Sequence, residues 1–252
     1  MTQQLTRWTK FSYGIGDTGF SLTTTIIGVY FLIFMTDVVG LSPGLAAIAI
    51  FIGRSWDYIN DPLFGHLSDR TRTRWGRRRP YLLLGALPLA ITFTMLWWRP
   101  PWDSSLYLVL YYAGAYVLFD AAATMMYMPY FALTPELTSD YDERTSLTTY
   151  RMFFSIFGSL VAFTVPLIMI GSFHPENASR VVMMGLLFGI VSALPFGLVF
   201  VGTRERPEYL AQSRPRLGHS LRIAFKNRPF VFGMVLFLLT WVAVEIVQAT
   251  LL

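Results

Sequence analysis

The sequence has no cysteine among its 252 residues, which removes disulfides, thiolate metal ligands and thiol nucleophiles together. Charge is scarce as well. Asp, Glu, Lys and Arg make up 14% of the chain, against about 25% in an ordinary soluble domain, and this argues against a water-soluble enzyme. No low-complexity segment is present. Apolar residues are abundant instead, at 54%, with a mean hydropathy of +0.49. The composition is that of a polytopic membrane protein. Each span needs roughly 20 apolar residues and a connection, so a chain of this length holds at most about seven. The net charge of +5 and pI near 9.6 fit either a nucleic-acid partner or a membrane surface, and the placement of the basic residues decides between them.

Apolar stretches predict spans near 13–36, 43–65, 80–98, 105–133, 150–171 and 181–202. A polar stretch precedes a seventh, which runs to the last residue without a polar cap and reads as a severed span. The expected organisation is a six-helix transmembrane bundle over 1–202, a cytoplasmic inter-bundle loop over 203–228, and over 229–252 the first helix of a truncated C-terminal bundle. An acidic loop with Glu136, Asp140, Asp142, Glu143 and Arg144 is expected between spans four and five. With the N-terminus cytoplasmic, all but three of the 20 basic residues fall on the cytoplasmic side, as the positive-inside rule requires. Arg99 and Arg180 lie on the opposite side and Arg54 lies within a span. The basicity is therefore topology, and no nucleic-acid partner is expected. The first span is no cleavable signal peptide, because its apolar run is too long and no A-x-A-like site follows. Six spans followed by a long basic loop are the plan of one half of a two-half transporter.

Charges inside a membrane cost about 2.5 to 3.5 kcal/mol each on insertion scales, so each needs a reason. Arg54, Asp57 and Asp61 share one helix face within about 60°. Two carboxylates one turn apart can coordinate sodium or share a proton; alternatively, Arg54 simply neutralises Asp57 and fixes packing. Asp17, flanked by Gly14, Gly16 and Gly19, fits either substrate contact or a helix-to-helix hydrogen bond. Asp120, alone in an Ala-rich span, fits a proton carrier or a neutral acid satisfied by a neighbouring helix. Trp97, Trp98 and Trp102 read as an aromatic belt at the outer interface. Tyr127, Tyr130 and Phe131 share a span with Asp120 and offer ring faces on which a pyranose can stack.

The stretches Gly65-His66-Leu67-Ser68-Asp69-Arg70 and Trp75-Gly76-Arg77-Arg78-Arg79-Pro80 resemble the loop between helices two and three of the major facilitator superfamily. The longer run from Arg54 through Asp57, Asn60, Asp61 and Pro62 to Gly65 is similar to the glycoside-pentoside-hexuronide:cation symporter family of that superfamily. Tyr13-Gly14, Thr36-Asp37, Pro129-Tyr130, Pro135-Glu136, Asp142-Glu143-Arg144 and Tyr150-Arg151 fit the same family over about residues 10–155. The resemblance implies an all-α membrane protein, with the superfamily's N-terminal six-helix bundle plus the start of a seventh transmembrane helix. It implies a secondary active transporter, an H⁺- or Na⁺-coupled symporter of a sugar or glycoside working by alternating access. Asp57 and Asp61 match the family's cation site, where Na⁺ would be the metal, and Arg151 matches an arginine of its sugar site. The Lys-Asp pair that the melibiose-transporting branch carries in span one is replaced by Phe20 and Ser21, and its span-four aspartate by Tyr127. These departures remove that branch's main sugar carboxylates.

Span four instead is similar to proton-coupled sucrose porters, which place an Asp nine residues before a Pro, as Asp120 stands to Pro129. A lysolipid-transporting branch keeps the span-two aspartates too. The basic loop Arg70–Arg79 is expected to pair with acidic groups at helix ends in one conformational state, unless its arginines only set topology; Arg54, Asp69, Arg70, Arg77 and Arg78 are the expected charge partners, and no cofactor beyond the coupling ion is expected. The partners expected are the lipid bilayer, a small-molecule substrate and a C-terminal half needed for full transport, in the inner membrane of a bacterium. Two rivals come from other classes. An intramembrane prenyltransferase would use Asp57 and Asp61 for magnesium diphosphate but needs a second Asp-rich cluster, and 203–228 contains no Asp. The other is a non-transporting half-transporter or scaffold.

Overall fold

The computed structural model describes residues 4–205 and 225–251, apart from the side chains at 241, 242 and 244–251. The chain divides into two compact units, Met1–Leu210 and Ala211–Leu252. In the first unit, α1 (Arg7–Gly14) and α2 (Gly16–Ile33) form one run that continues as a wider π turn to Val39. Thr6 starts it by accepting a hydrogen bond from the Thr9 amide at 3.1 Å. α3 (Pro43–Ser55) begins on a proline, whose fixed φ suits a first helical turn. There follow α4 (Asp57–Arg70), α5 (Arg79–Leu84), α6 (Ala86–Leu96), α7 (Ser105–Leu137), α8 (Tyr141–Ile170) and α9 (Ala178–Gly202). In the second unit, α10 (Arg228–Leu251) is an apolar helix of 24 residues. The expected inter-bundle loop falls mostly on 206–224, outside the described residues.

Among the described residues, five helical runs are long and apolar enough to cross a membrane: Arg7–Val39, Arg79–Leu96, Ser105–Leu137, Tyr141–Ile170 and Pro175–Gly202. The fold is all-α, as its sequence leads one to expect, with three differences of detail. The predicted second span is two helices, α3 and α4, divided at Trp56; Arg54, Asp57 and Asp61 around that break also keep it below the apolarity of the other five. The predicted acidic loop is largely helix. Glu136 ends α7, and Asp140 accepts the Glu143 amide at 3.0 Å as the N-cap of α8, so Asp142 and Glu143 sit in a first turn where the helix dipole favours negative charge. Trp97 belongs to no belt: it is fully buried against Phe31, Phe34 and Phe93. Trp98 and Trp102 remain exposed and meet Tyr111 edge-on.

Helix α2 packs against α8 and α9, α6 against α7 and α9, and α3 and α4 against α7. Close approach depends on small residues, as in other membrane bundles. A Cβ at Gly189 would stand 2.8 Å from the carbonyl oxygen of Ala90, so α6 and α9 meet backbone to backbone there.

Candidate functional site

Helix α7 carries three polar clusters along its length, and each is completed by a different neighbour. The first faces α3 and α4. Asn60, buried, donates from Nδ2 to Asp120 Oδ2 at 3.1 Å. Thr124 lies one turn beyond Asp120 and reaches Asp61 Oδ1 at 3.4 Å. Asp57 and Asp61 lie within electrostatic reach of Asp120, and Arg54 within reach of Tyr116. The break at Trp56 thus leaves Arg54, Asp57 and Asp61 all turned toward α7. The cluster therefore brings together the three carboxyls that the sequence singled out, beside a single arginine. Among the described residues no group of three or more His, Asp or Glu side chains is arranged to hold a metal ion. Asp57 and Asp61 would hold a cation only with help from neutral oxygens such as those of Asn60 and Thr124.

The second cluster lies lower on α7, facing α1, α2 and α8. Arg151 Nε is 3.3 Å from Asp17 Oδ2. Its guanidinium sits 4.8 Å from the Phe131 ring centre and 5.5 Å from that of Tyr130, within the range of cation–π attraction. Tyr13 and Tyr130 stack at 4.8 Å, and each hydroxyl donates to the other's backbone carbonyl. The Tyr127 hydroxyl is 2.8 Å from that of Thr23, and Phe20 meets both Tyr127 and Phe131 edge-on. All five residues read as substrate contacts are thus in one cluster, but not with equal access. Tyr127 and Tyr130 are enclosed between helices with their hydroxyls engaged, whereas Phe131 and Arg151 are only partly buried. Helix α9 closes over the tyrosines, since Phe196 contacts both rings.

The third cluster joins the end of α7 to the Arg-rich turn before α5. Arg77 pairs with Glu136, and Arg78 lies 3.0 Å from both Glu136 and Asp69. Arg77, Arg78 and Glu136 are all but removed from solvent, while Arg70 is exposed. Glu205, just past α9, accepts the backbone N–H groups of Arg77 at 2.8 Å, Arg78 at 2.8 Å and Arg79 at 3.1 Å. A carboxylate at the first amides of a helix meets both its unsatisfied donors and its dipole. Gly76, at φ +106°, makes room for it, because a Cβ there would lie 2.6 Å from Glu205 Oε1. Across the other helix ends, Lys10 and Glu143 pair at 3.0 Å.

Asn60, Thr124 and Glu205 were not singled out from sequence. Asn60 had a legible signal, lying three residues after Asp57 and so on nearly the same face. Glu205 had none, because its partners are more than a hundred residues away.

Known proteins match the stretch that carries these clusters. The chain is 32% identical over 228 residues to a putative glycoside/cation symporter of Escherichia coli (strain K12), covering 89% of this chain and 49% of that one. It is 28% identical over 240 residues to an isoprimeverose transporter of Lactiplantibacillus pentosus, covering 94% and 50%. It is 28% identical over 278 residues to a sodium-dependent lysophosphatidylcholine symporter 1-A of Danio rerio, covering 97% and 52%. The chain spans about half the length of these curated relatives. The family model described as MFS/sugar transport protein matches residues 12–252, which takes in all three clusters of α7. A multi-pass integral membrane protein with apolar helices and this match belongs to the major facilitator family of sugar transport proteins.

Proposed function

We propose that the chain is the first bundle of a cation-coupled symporter for a sugar or glycoside, acting as a transporter and not an enzyme. The observation that carries the reading is the cluster of Asp57, Asp61 and Asp120 between α4 and α7, tied together through Asn60 and Thr124. Proton binding there removes negative charge from a membrane-embedded helix contact and so changes which packing of α4 on α7 is favourable. The same helix carries Phe131 about 16 Å further along its axis, at 1.5 Å per residue. Phe131 offers an apolar ring face and Arg151 offers N–H groups toward hydroxyls; Tyr127 and Tyr130 hold both in place. A movement of α7 driven by the cation would therefore be felt at the substrate contact. This is the linkage that lets a gradient drive uptake.

The relatives' length supports a second bundle as the other wall of the substrate path, and Arg77, Arg78, Asp69 and Glu136 would brace one of the two access states. The distribution of basic residues supports a cytoplasmic N-terminus, and the bacterial relatives favour a bacterial inner membrane. The test is gradient-driven accumulation of labelled glycosides in cells expressing the protein. Asp57→Asn and Asp61→Asn should each reduce accumulation to the level of passive equilibration, and unchanged accumulation would overturn the assignment; under proton coupling Asp120→Asn should remove the pH dependence of uptake. If Asp120→Asn leaves uptake driven by sodium at fixed pH, the coupling ion is sodium. A second reading, transport of a lysolipid, rests on the zebrafish relative that aligns with 97% of the chain. Labelled lysophosphatidylcholine in the same assay separates the two substrates.

A further inference from the structure

Asp17 and Arg151 are the charged groups of the second cluster, and they cancel. Asp17, in the first turn of α2, is the more deeply withdrawn, at 9% side-chain exposure against 21% for Arg151. Arg151 Nε stands 3.3 Å from Oδ2, and Nη2 donates to Oδ1 at 3.5 Å. Two nitrogens of one guanidinium thus face both oxygens of one carboxylate, the paired arrangement in which arginine takes up a carboxylate. Among the described residues neither group has a second ion pair. Lys10 and Glu143, nearer the ends of the same helical runs, likewise pair with each other at 3.0 Å.

Packing does not account for the Asp17–Arg151 pair. Small residues already bring these runs together: a Cβ at Gly14 would lie 2.8 Å from that of Tyr150, and one at Gly158 would lie 3.2 Å from the Thr18 Cα. An ion pair withdrawn from water is no stronger a contact than well-packed apolar residues of the same volume, and within a membrane each charge adds an insertion cost. What the pair achieves that an apolar contact cannot is to hold a guanidinium beside the rings of Tyr130 and Phe131 while the site as a whole stays neutral.

We propose, on the reading of the chain as a glycoside symporter, that Asp17 selects the substrate by charge: it occupies the carboxylate-binding edge of Arg151, so that uncharged sugars bind and sugar acids are turned away. A sugar carboxylate arriving at Arg151 would either displace Asp17, leaving a buried charge without its partner, or sit beside it, putting two negative charges on one guanidinium. Both are costly where water is scarce. A sugar hydroxyl needs only an N–H to accept from, and it leaves the pair intact.

The experiment is uptake by cells expressing the full chain. Methyl glucoside and methyl galactoside are set against methyl glucuronide and methyl galacturonide, which differ from them only in a carboxylate at C6. Each is added as a competitor of labelled neutral glycoside uptake, which compares affinities without requiring the acid to move against the membrane potential. In the wild type the acid should need at least about tenfold the concentration of its neutral partner to halve uptake, and Asp17→Asn should narrow that gap to about threefold or less. The rise in unfolding temperature that each sugar gives the purified chain in detergent repeats the comparison for a variant that binds without transporting. A wild type that takes the acid as well as its neutral partner overturns the proposal, needs no variant to do so, and leaves the glycoside reading standing. A gap that survives Asp17→Asn has the same consequence. If none of the four sugars competes or stabilises, the glycoside reading falls and the selection by Asp17 falls with it.

Discussion

Arg151 holds a carboxylate on one side and a ring on the other, and the two contacts ask different things of it. Asp17 needs a positive charge within reach, which lysine also supplies. The face of Phe131 at 4.8 Å needs a flat, weakly hydrated cation, which lysine does not. Arg151→Lys is therefore expected to leave the protein folded while raising the substrate KM about three- to tenfold, the equivalent of about 0.7–1.4 kcal/mol, with the apparent affinity for the coupling ion unchanged. Parallel shifts in both constants would place Arg151 in the cation machinery instead. Glu205 is a case of the opposite kind, where one carboxylate serves three backbone donors. Glu205→Gln keeps the shape, but it removes the charge and one acceptor oxygen. The expected loss is about 1–3 kcal/mol in reversible unfolding from detergent, and a change under a few tenths would show that the three bonds are idle.

At the scale of whole helices, long apolar runs are legible because lipid forces every backbone group into internal hydrogen bonds. Spans three, four and six were therefore placed within a few residues. What escaped was local polarity doing helical work. Asp140, Asp142 and Glu143 look like a loop by hydropathy, yet they are a cap and a first turn, and that reading cost α8 its first nine residues. Trp97 looks like an interface residue by position, yet its partners Phe31, Phe34 and Phe93 come from other spans, which no local pattern reveals. The candidate site divides the same way. Its charged members stood out because membranes make charge expensive, whereas Thr124 was silent because a neutral polar side chain carries little cost, and Asn60 was marked only by its spacing from Asp57. The α6–α9 contact gives the element-scale prediction. Gly189→Ala puts a methyl 2.8 Å from a backbone oxygen, so the helices must separate, at about 1–3 kcal/mol. Gly197→Ala, with open space around it in the same helix, should cost a few tenths or less.

For the molecule as a whole, orientation rests on charge bias alone, and the absence of cysteine makes it directly measurable. The Arg-rich turn, with its exposed Arg72 and Arg74, and the segment between α8 and α9, with its exposed Glu176, are joined by α5–α6, α7 and α8. Those three membrane crossings, an odd number, put the two segments on opposite sides. Basic residues near span ends resist translocation, so the turn is expected in the cytoplasm and Glu176 outside. A single cysteine at Arg72→Cys should react with a membrane-impermeant maleimide only after cells are permeabilised, whereas Glu176→Cys should react in intact cells. The reverse pattern would invert the molecule. It would put the Arg77–Glu136 cluster and Glu205 at the outer face, leaving the three clusters of α7 intact but reversing the side from which each access state opens. Reaction of both cysteines in intact cells would break the odd number of crossings and with it the bundle as described.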